Sequence, residues 1–151
     1  MALKERIAAE MKAALLSGNR FVGETLRGLK AAILDEEVST GRRDEGLSDT
    51  EIEKIVAREI KKRHESAKIY RENNRPELAE PEEKEAAILQ SYLPQQLSEQ
   101  ALQKIIDEAV SKLSVSGIQN MGKVIGLVKT QVGNTADGAL IAKLVKNRLT
   151  E

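Results

Sequence analysis

The sequence contains neither cysteine nor tryptophan among its 151 residues. Without thiols, disulfide bonds, thiolate catalysis and zinc sites built on cysteine are excluded. The only aromatic residues are Phe21, Tyr70 and Tyr92, so a hydrophobic core has to be built from aliphatic side chains. Few aromatic rings also disfavour the RNA-binding mode in which unpaired bases stack on several rings.

The chain also has no net charge, because 24 Lys and Arg residues balance 24 Asp and Glu residues. No global positive field attracts nucleic acid, so any nucleic-acid surface must be a local patch. No apolar run approaches the roughly 20 residues that cross a bilayer. Charged residues also interrupt the N-terminal stretch where a secretory signal needs an apolar segment. We therefore expect a cytoplasmic protein that does not insert into a membrane.

The residues that favour helices are abundant, and apolar side chains recur at spacings of three and four. This spacing predicts helices over about 2–17, 20–38, 49–73 and 76–93, and then over 99–113, 120–132 and 138–149. No segment alternates with the period of a strand. We predict an all-α fold, with an N-terminal four-helix domain at residues 1–94 followed by a smaller C-terminal three-helix domain at residues 95–151.

Polar residues that accept hydrogen bonds from the first helical turn mark several helix starts. The predicted N-caps are Ser48 or Asp49 for the third helix, followed by Ser98, Asn120 and Asp137. Ser48 and Glu51 have the spacing of a capping box. Pro76 fits the first turn of the fourth segment, and Pro81 predicts a further helical start within that segment.

Glycines inside predicted helices need an explanation, because each costs roughly 1 kcal/mol relative to alanine. For Gly23 and Gly28 in the second helix, we expect the close approach of a neighbouring backbone. Gly122 and Gly126 lie four residues apart in the sixth helix and have two interpretations. They permit a tight helix contact, or Gly122 lets an RNA backbone come close to Lys123.

A charged side chain falls in the middle of the apolar stripe of the third helix. Arg63 occupies that position, and Glu59 lies beside it on the same face. A charge on the core side has to be paired, because an unpaired one costs several kcal/mol. The pattern predicts a structural ion pair of Arg63 with carboxylates, for which Glu59 and Glu85 are the candidates. The alternatives are a guanidinium held for a ligand, or a catalytic cluster that also includes Glu82.

Self-contained catalytic chemistry has little support in the sequence. His64 is the only histidine, and a lone histidine in a charged helix indicates a surface residue that has no second histidine to form a metal pair. Neither a Walker-type phosphate loop nor a GxSxG motif is present. We expect no catalytic residues, no metal and no cofactor in this chain alone.

Charge is unevenly distributed along the chain. From residue 54 to residue 75 there are eight cations and three acids, whereas residues 77–85 hold five acids and one lysine, so the two stretches are expected to pair. From residue 110 to residue 150 a single acid, Asp137, stands among Lys112, Lys123, Lys129, Lys143, Lys146 and Arg148. Such a basic stretch binds phosphate backbones through counterion release, or it is an ordinary solvated face.

Two groups of motifs resemble the GatB/YqeY family. One comprises the run NMGKVIGLVK from Asn120, the Asp137–Gly138 pair and the LVK run at 144–146. The other comprises KKR at 61–63, RPELA from Arg75, Glu82, Glu85 and YLP at 92–94. Their order and spacing cover the chain from about residue 26 to its end. The resemblance implies a free-standing relative of the tail domain of the B subunit of the tRNA-dependent amidotransferase, with a larger helical bundle followed by a three-helix one.

The resemblance also implies a role in tRNA metabolism. The family is associated with carbon–nitrogen ligation that uses glutamine as amido donor, but we expect this chain to lack the catalytic body. Phosphate contacts are then expected at Lys123, Lys129, Lys143 and Lys146, with Gly122 beside them. The alternative is a protein–protein adaptor that docks on an amidotransferase or an aminoacyl-tRNA synthetase.

Overall fold

The computed structural model describes residues 2–151, and within that range it contains seven α-helices and no β-strand. The predicted all-α class is therefore confirmed. The helices are α1 (Leu3–Leu16), α2 (Arg20–Ser39), α3 (Asp49–Glu72), α4 (Pro76–Gln90), α5 (Glu99–Leu113), α6 (Met121–Val132) and α7 (Gly138–Leu149). Short 3-10 turns, Ile118–Asn120 and Gly133–Thr135, precede and follow α6.

The chain divides into two compact units, Met1–Leu93 and Pro94–Glu151. The first unit contains α1 to α4, in which α1 packs mainly against α2 and α3 packs mainly against α4. Its core is aliphatic apart from Tyr92, and its fully buried members include Ile7, Leu26, Leu29, Ile52, Val56 and Leu89.

The second unit contains α5, α6 and α7, each of which contacts the other two. Its core has no aromatic residue and is built from Leu102, Ile106, Val124, Val128, Ile141 and Val145, among others. These residues recur at spacings of three and four, so each helix buries one face and leaves the opposite face in solvent. The exposed faces of α6 and α7 carry the lysines that the sequence singled out.

Most of the predicted N-caps are confirmed. The Ser48 hydroxyl accepts from the Glu51 amide at 3.2 Å while the Glu51 carboxylate accepts from the Ser48 amide at 2.8 Å, which is a complete capping box. Ser98 accepts from the Ala101 amide, and Asp137 accepts from the Leu140 amide. Asn120 does not cap α6, because its side-chain amide donates to the Ser116 carbonyl instead. The 3-10 turn places the Asn120 side chain where it hydrogen-bonds to the preceding loop instead of to the first turn of α6.

The expectation of a further helical start at Pro81 is wrong. α4 continues without interruption from Pro76 through Pro81 to Gln90. A proline at an interior position removes one hydrogen bond of the helix. Ala79, Ala86 and Leu89 lie on both sides of Pro81 and are buried, so packing on one continuous face maintains a single helix.

The two glycines of α2 differ. Gly23 is buried, and a Cβ atom there would lie 2.4 Å from the Leu15 side chain and 3.5 Å from the Leu15 backbone nitrogen, so α1 does approach closely. The same expectation is wrong for Gly28. That residue is exposed, and the nearest atom to a Cβ there is Arg63 Nη2 at 3.9 Å.

Candidate nucleic-acid interface

The solvent face of α6 is almost free of side chains along its middle. Val124, Val128 and Val132 are buried, so at 100° per residue the opposite face presents Gly122 and Gly126. No atom lies within 4 Å of a Cβ built at either glycine. The interpretation of these two glycines as a tight helix contact is therefore wrong, and the helix backbone is open to an approaching molecule.

Four lysines border this open backbone or follow it on α7. They are Lys123, Lys129, Lys143 and Lys146, and all four are exposed. Within residues 2–151, none of them forms an ion pair or a side-chain hydrogen bond. Four exposed, unpaired ammonium groups on one small unit form a local positive surface, although the whole chain is neutral.

The other charges of these two helices already have partners. Arg148 donates from Nε to Asp107 of α5 at 3.0 Å, so it stabilises the contact of α7 with α5. Asp137, the only acid between residues 110 and 150, accepts from the amide of Leu140. The side chain of Lys129 reaches α7, since its Nζ lies 3.7 Å from the position of a Cβ at Gly138.

Arg63 lies between two carboxylates in the first unit. Its Nε donates to Glu85 Oε2 at 2.9 Å, and its Nη1 donates to the backbone carbonyl of Glu59 at 3.0 Å and to Glu59 Oε1 at 3.3 Å. The exposed fraction is only 15% for the Arg63 side chain and 11% for that of Glu59. The remaining Glu59 oxygen, Oε2, lies 3.0 Å from Lys62 Nζ, in a geometry that does not form a hydrogen bond.

Glu82 lies near this cluster without joining it by an ion pair. Burial raises the pKa of Glu82 above its ordinary value, repulsion from Glu85 raises it further, and attraction to Arg63 lowers it. The cluster as a whole connects α3 to α4 and holds its carboxylates in contact with cations. This geometry favours a structural role, since the guanidinium of Arg63 is used by protein acceptors on Nε and Nη1.

A shallow polar cleft of about 420 Å³ lies between α2 and α3. Gly28, Ala31 and Ala32 form one wall, and both signs of charge are present in its lining, from Asp35 and Glu36 to Arg58 and Lys62. Arg58 and Glu36 already approach each other across it, at 3.8 Å. His64 is exposed outside the cleft, as predicted.

Arg71 of α3 and Arg75, which directly precedes α4, pair with the acidic start of α4, as the charge pattern predicted. Arg71 donates to both oxygens of Glu83, at 2.5 and 2.8 Å, and Arg75 donates to Glu77 at 2.5 Å. These bonds lower the pKa of Glu83 and of Glu77 below the ordinary value.

The lysines of α3 are different, and sequence reasoning missed them because it assigned the whole basic stretch to pairing. Lys54 and Lys61 are exposed, and no ion pair joins either to another residue of the 2–151 range. The seven-residue spacing of Lys54, Lys61 and Lys68 was the available signal, because residues seven apart lie on the same helix face.

No helix among the described residues is both long enough and apolar enough to cross a membrane. In the same part of the chain, no three His, Cys, Asp or Glu side chains come together in a way that would hold a metal ion.

These features define a small all-helical protein with an open, lysine-bordered face on its second unit. A family model described as Yqey-like protein matches residues 4–149. The chain therefore belongs to the YqeY-like family, as the motifs indicated.

Two curated relatives are proteins of yeasts. Altered inheritance of mitochondria protein 41, mitochondrial, of Clavispora lusitaniae is 28% identical over 143 residues, which cover 95% of this chain and 74% of that protein. The protein with the same name in Meyerozyma guilliermondii is 30% identical over 127 residues, which cover 82% of this chain and 65% of its own length.

Proposed function

We propose that this protein is an accessory module of tRNA metabolism that binds tRNA through the solvent face of α6 and α7 and is not catalytic alone. The observation that carries the proposal is the absence of any partner within residues 2–151 for Lys123, Lys129, Lys143 and Lys146, beside a helix backbone left open at Gly122 and Gly126.

Physical reasons favour a phosphate backbone as the ligand of this face. Lysine binds phosphate as a point charge, and phosphate contacts position a nucleic acid without reading its sequence. The open backbone at Gly122 lets a sugar–phosphate chain approach the helix closely beside Lys123. No aromatic residue lies in residues 94–151, so base stacking is not part of this proposal.

Carbon–nitrogen ligation with glutamine as amido donor enters the proposal only through partners. We infer that such chemistry belongs to a separate catalytic body, with which a YqeY-like module shares its tRNA. The cytoplasm is the proposed location, although the two yeast relatives are named as mitochondrial proteins. Cell fractionation followed by immunodetection distinguishes the two compartments.

The test is the binding of the purified chain to total tRNA at several salt concentrations. For a duplex, each phosphate contact contributes roughly 0.9 to the slope of log affinity against log salt. Replacing Lys123 and Lys129 with alanine is expected to reduce that slope by about two.

The matched control replaces Lys104 and Lys112 of α5 with alanine. These lysines are exposed and belong to the same unit, and replacing them changes the net charge by the same amount. Their replacement is expected to leave the slope nearly unchanged. An equal effect of the two double variants, or no effect of the first, contradicts the assignment of the interface.

A protein–protein adaptor is the second candidate, and exposed apolar residues of α2 favour it. Leu34 is 42% exposed and Val38 is 58% exposed, four residues apart on one face of the helix. The candidate partners are an amidotransferase or an aminoacyl-tRNA synthetase. Such a partner is expected to co-purify after RNase treatment and to be lost when Leu34 and Val38 become glutamate. Loss of every partner after RNase treatment contradicts the adaptor.

A further inference from the structure

The solvent face of α3 carries a row of cations that the proposed function does not use. Lys54, Arg58, Lys61, Lys62 and Lys68 are exposed on this helix, and we call them the α3 ridge. Lys54 and Lys68 are fourteen residues apart, which is about 21 Å along a helix. Glu65 is the only exposed acid between them.

The cations of α3 form two groups, one that faces α4 and one, which includes Arg58, that faces solvent. The arginines Arg63 and Arg71 are bound to glutamates of α4, at distances of 2.9 and 2.5 Å. The lysines face solvent instead. Lys62 contacts Glu59 but remains 62% exposed, and Lys68 reaches Glu72 only at 4.0 Å. Arg58 also approaches Glu36, at 3.8 Å. Lys54 and Lys61 are the two ridge cations that have no ion pair within residues 2–151, so the ridge keeps unpaired positive charge on an outward face.

We propose that the α3 ridge binds an RNA phosphate backbone and is a second RNA-binding surface, in the first unit of the chain. A band of point charges about 21 Å long on one side of a helix faces several phosphates of a nucleic-acid strand at once. This inference rests on the proposed function for its ligand class, which is RNA. The residues belong to the other unit, so an experiment can contradict one surface without contradicting the other.

The composition of the ridge argues for RNA over two other acidic partners. An anionic membrane surface is bound by helices that place large apolar side chains beside their lysines. Protein interfaces likewise depend on buried aromatic and arginine anchors. The other exposed residues between Lys54 and Lys68 are Ala57, His64 and Glu65. Ile69, which is 58% exposed, is the one large apolar side chain beside the ridge, and a single isoleucine does not make the apolar face of a membrane-binding helix.

The first experiment measures tRNA binding of the full chain with Lys54 and Lys61 both replaced by glutamine. The slope of log affinity against log salt is expected to fall by about two. The control replaces Lys12 and Lys84, which are exposed lysines of α1 and α4, and is expected to change the slope little. An unchanged slope for the first variant overturns the ridge, whether or not the lysines of α6 contribute.

The second experiment is a gain of binding, which misfolding does not produce. Glu65→Lys completes the ridge, so tRNA is expected to bind several-fold more tightly at low salt and with a slope steeper by about one. No gain with Glu65→Lys contradicts the proposal. Displacement of tRNA by poly-glutamate at equal charge concentration also contradicts it, because that result identifies an acidic polypeptide as the partner. Binding to phosphatidylserine vesicles that the Lys54 and Lys61 replacements abolish contradicts it too, because that result identifies a membrane.

Discussion

The two glycines of α2 show how much a single Cβ atom matters at this scale. Both lie in the interior of one helix, so alanine raises helix propensity equally at the two positions. Their surroundings differ, because a Cβ at Gly23 would lie 2.4 Å from the Leu15 side chain, whereas a Cβ at Gly28 would lie 3.9 Å from Arg63 Nη2, an ordinary van der Waals distance. The periodicity of α2 does not reveal this difference, because the difference depends on how closely α1 approaches α2.

Gly28→Ala is expected to raise the free energy of unfolding by about 0.5–1 kcal/mol, because the residue lacks a positive φ and has room for a methyl group. Gly23→Ala is expected to lower it by about 1–3 kcal/mol through overpacking against Leu15. Urea denaturation followed by circular dichroism measures both. Equal shifts in the two variants would show that α1 and α2 are not as close as described.

Glu82 and Glu83 are adjacent and contribute with opposite sign to the pH dependence of the free energy of unfolding. Because the pKa of Glu82 is raised on folding by burial, its charged form destabilises the native state, and stability falls as pH rises above the ordinary range of glutamate. The pKa of Glu83 is lowered by its hydrogen bond to Arg71, so its contribution is present above that range and is lost as pH falls.

Glu82→Gln is therefore expected to raise the urea midpoint at pH 7, and this effect is expected to fade as pH falls below the ordinary range of glutamate, where the wild-type carboxyl is protonated too. Glu83→Gln is expected to lower the midpoint at pH 7 and to have little effect at the lowest pH. Chemical denaturation at several pH values tests both variants. The same sign of effect for the two substitutions at pH 7 contradicts this account.

Among the elements, α7 has an N-cap residue that affects both its stability and the proposed RNA binding. Asp137 caps the helix and is also the only acid between residues 110 and 150, so it opposes the lysines electrostatically while it holds their helix in place. Asparagine caps a helix about as well as aspartate does. The two contributions of Asp137 are therefore separable by substitution.

Asp137→Asn is expected to change the free energy of unfolding by only a few tenths of a kcal/mol and to tighten tRNA binding at low salt. Asp137→Ala also removes the negative charge but costs about 1 kcal/mol of stability. Thermal denaturation and tRNA titration check the pair. Unchanged tRNA affinity in Asp137→Asn would place the RNA away from the start of α7.

The positions of the helices follow from the sequence because amphipathic spacing and Ser or Asp caps are local signals. Pro81 was misjudged because packing of Ala79, Ala86 and Leu89 on one face outweighs the loss of a single backbone hydrogen bond. Gly122 and Gly126 were ambiguous because the same spacing serves tight packing and open exposure. The α3 ridge was missed because a sequence does not show which cations find carboxylates in three dimensions.

At the scale of the whole chain, the aliphatic cores of the two units share no residue. Each unit has its own capped helices and its own buried cluster. The second unit has 58 residues, which is near the lower end of the sizes at which a domain folds without staples.

A fragment of residues 94–151 is expected to fold alone, with a helical circular-dichroism spectrum and a cooperative thermal transition. We also expect it to retain the part of tRNA binding that depends on Lys123 and to lack the part that depends on the α3 ridge, which lies outside the fragment. A fragment that is unstructured would show that the second unit needs the first in order to fold.

The distribution of the aromatic residues has an optical consequence. Tyr92 is buried in the first unit, where its hydroxyl donates to Glu10 at 2.6 Å, and Tyr70 and Phe21 belong to that unit too. The second unit contains no chromophore other than its peptide bonds. Near-ultraviolet absorbance and tyrosine fluorescence therefore report on the first unit alone, whereas far-ultraviolet signals report on both. One titration read at both wavelengths separates the melting of the two halves without any label.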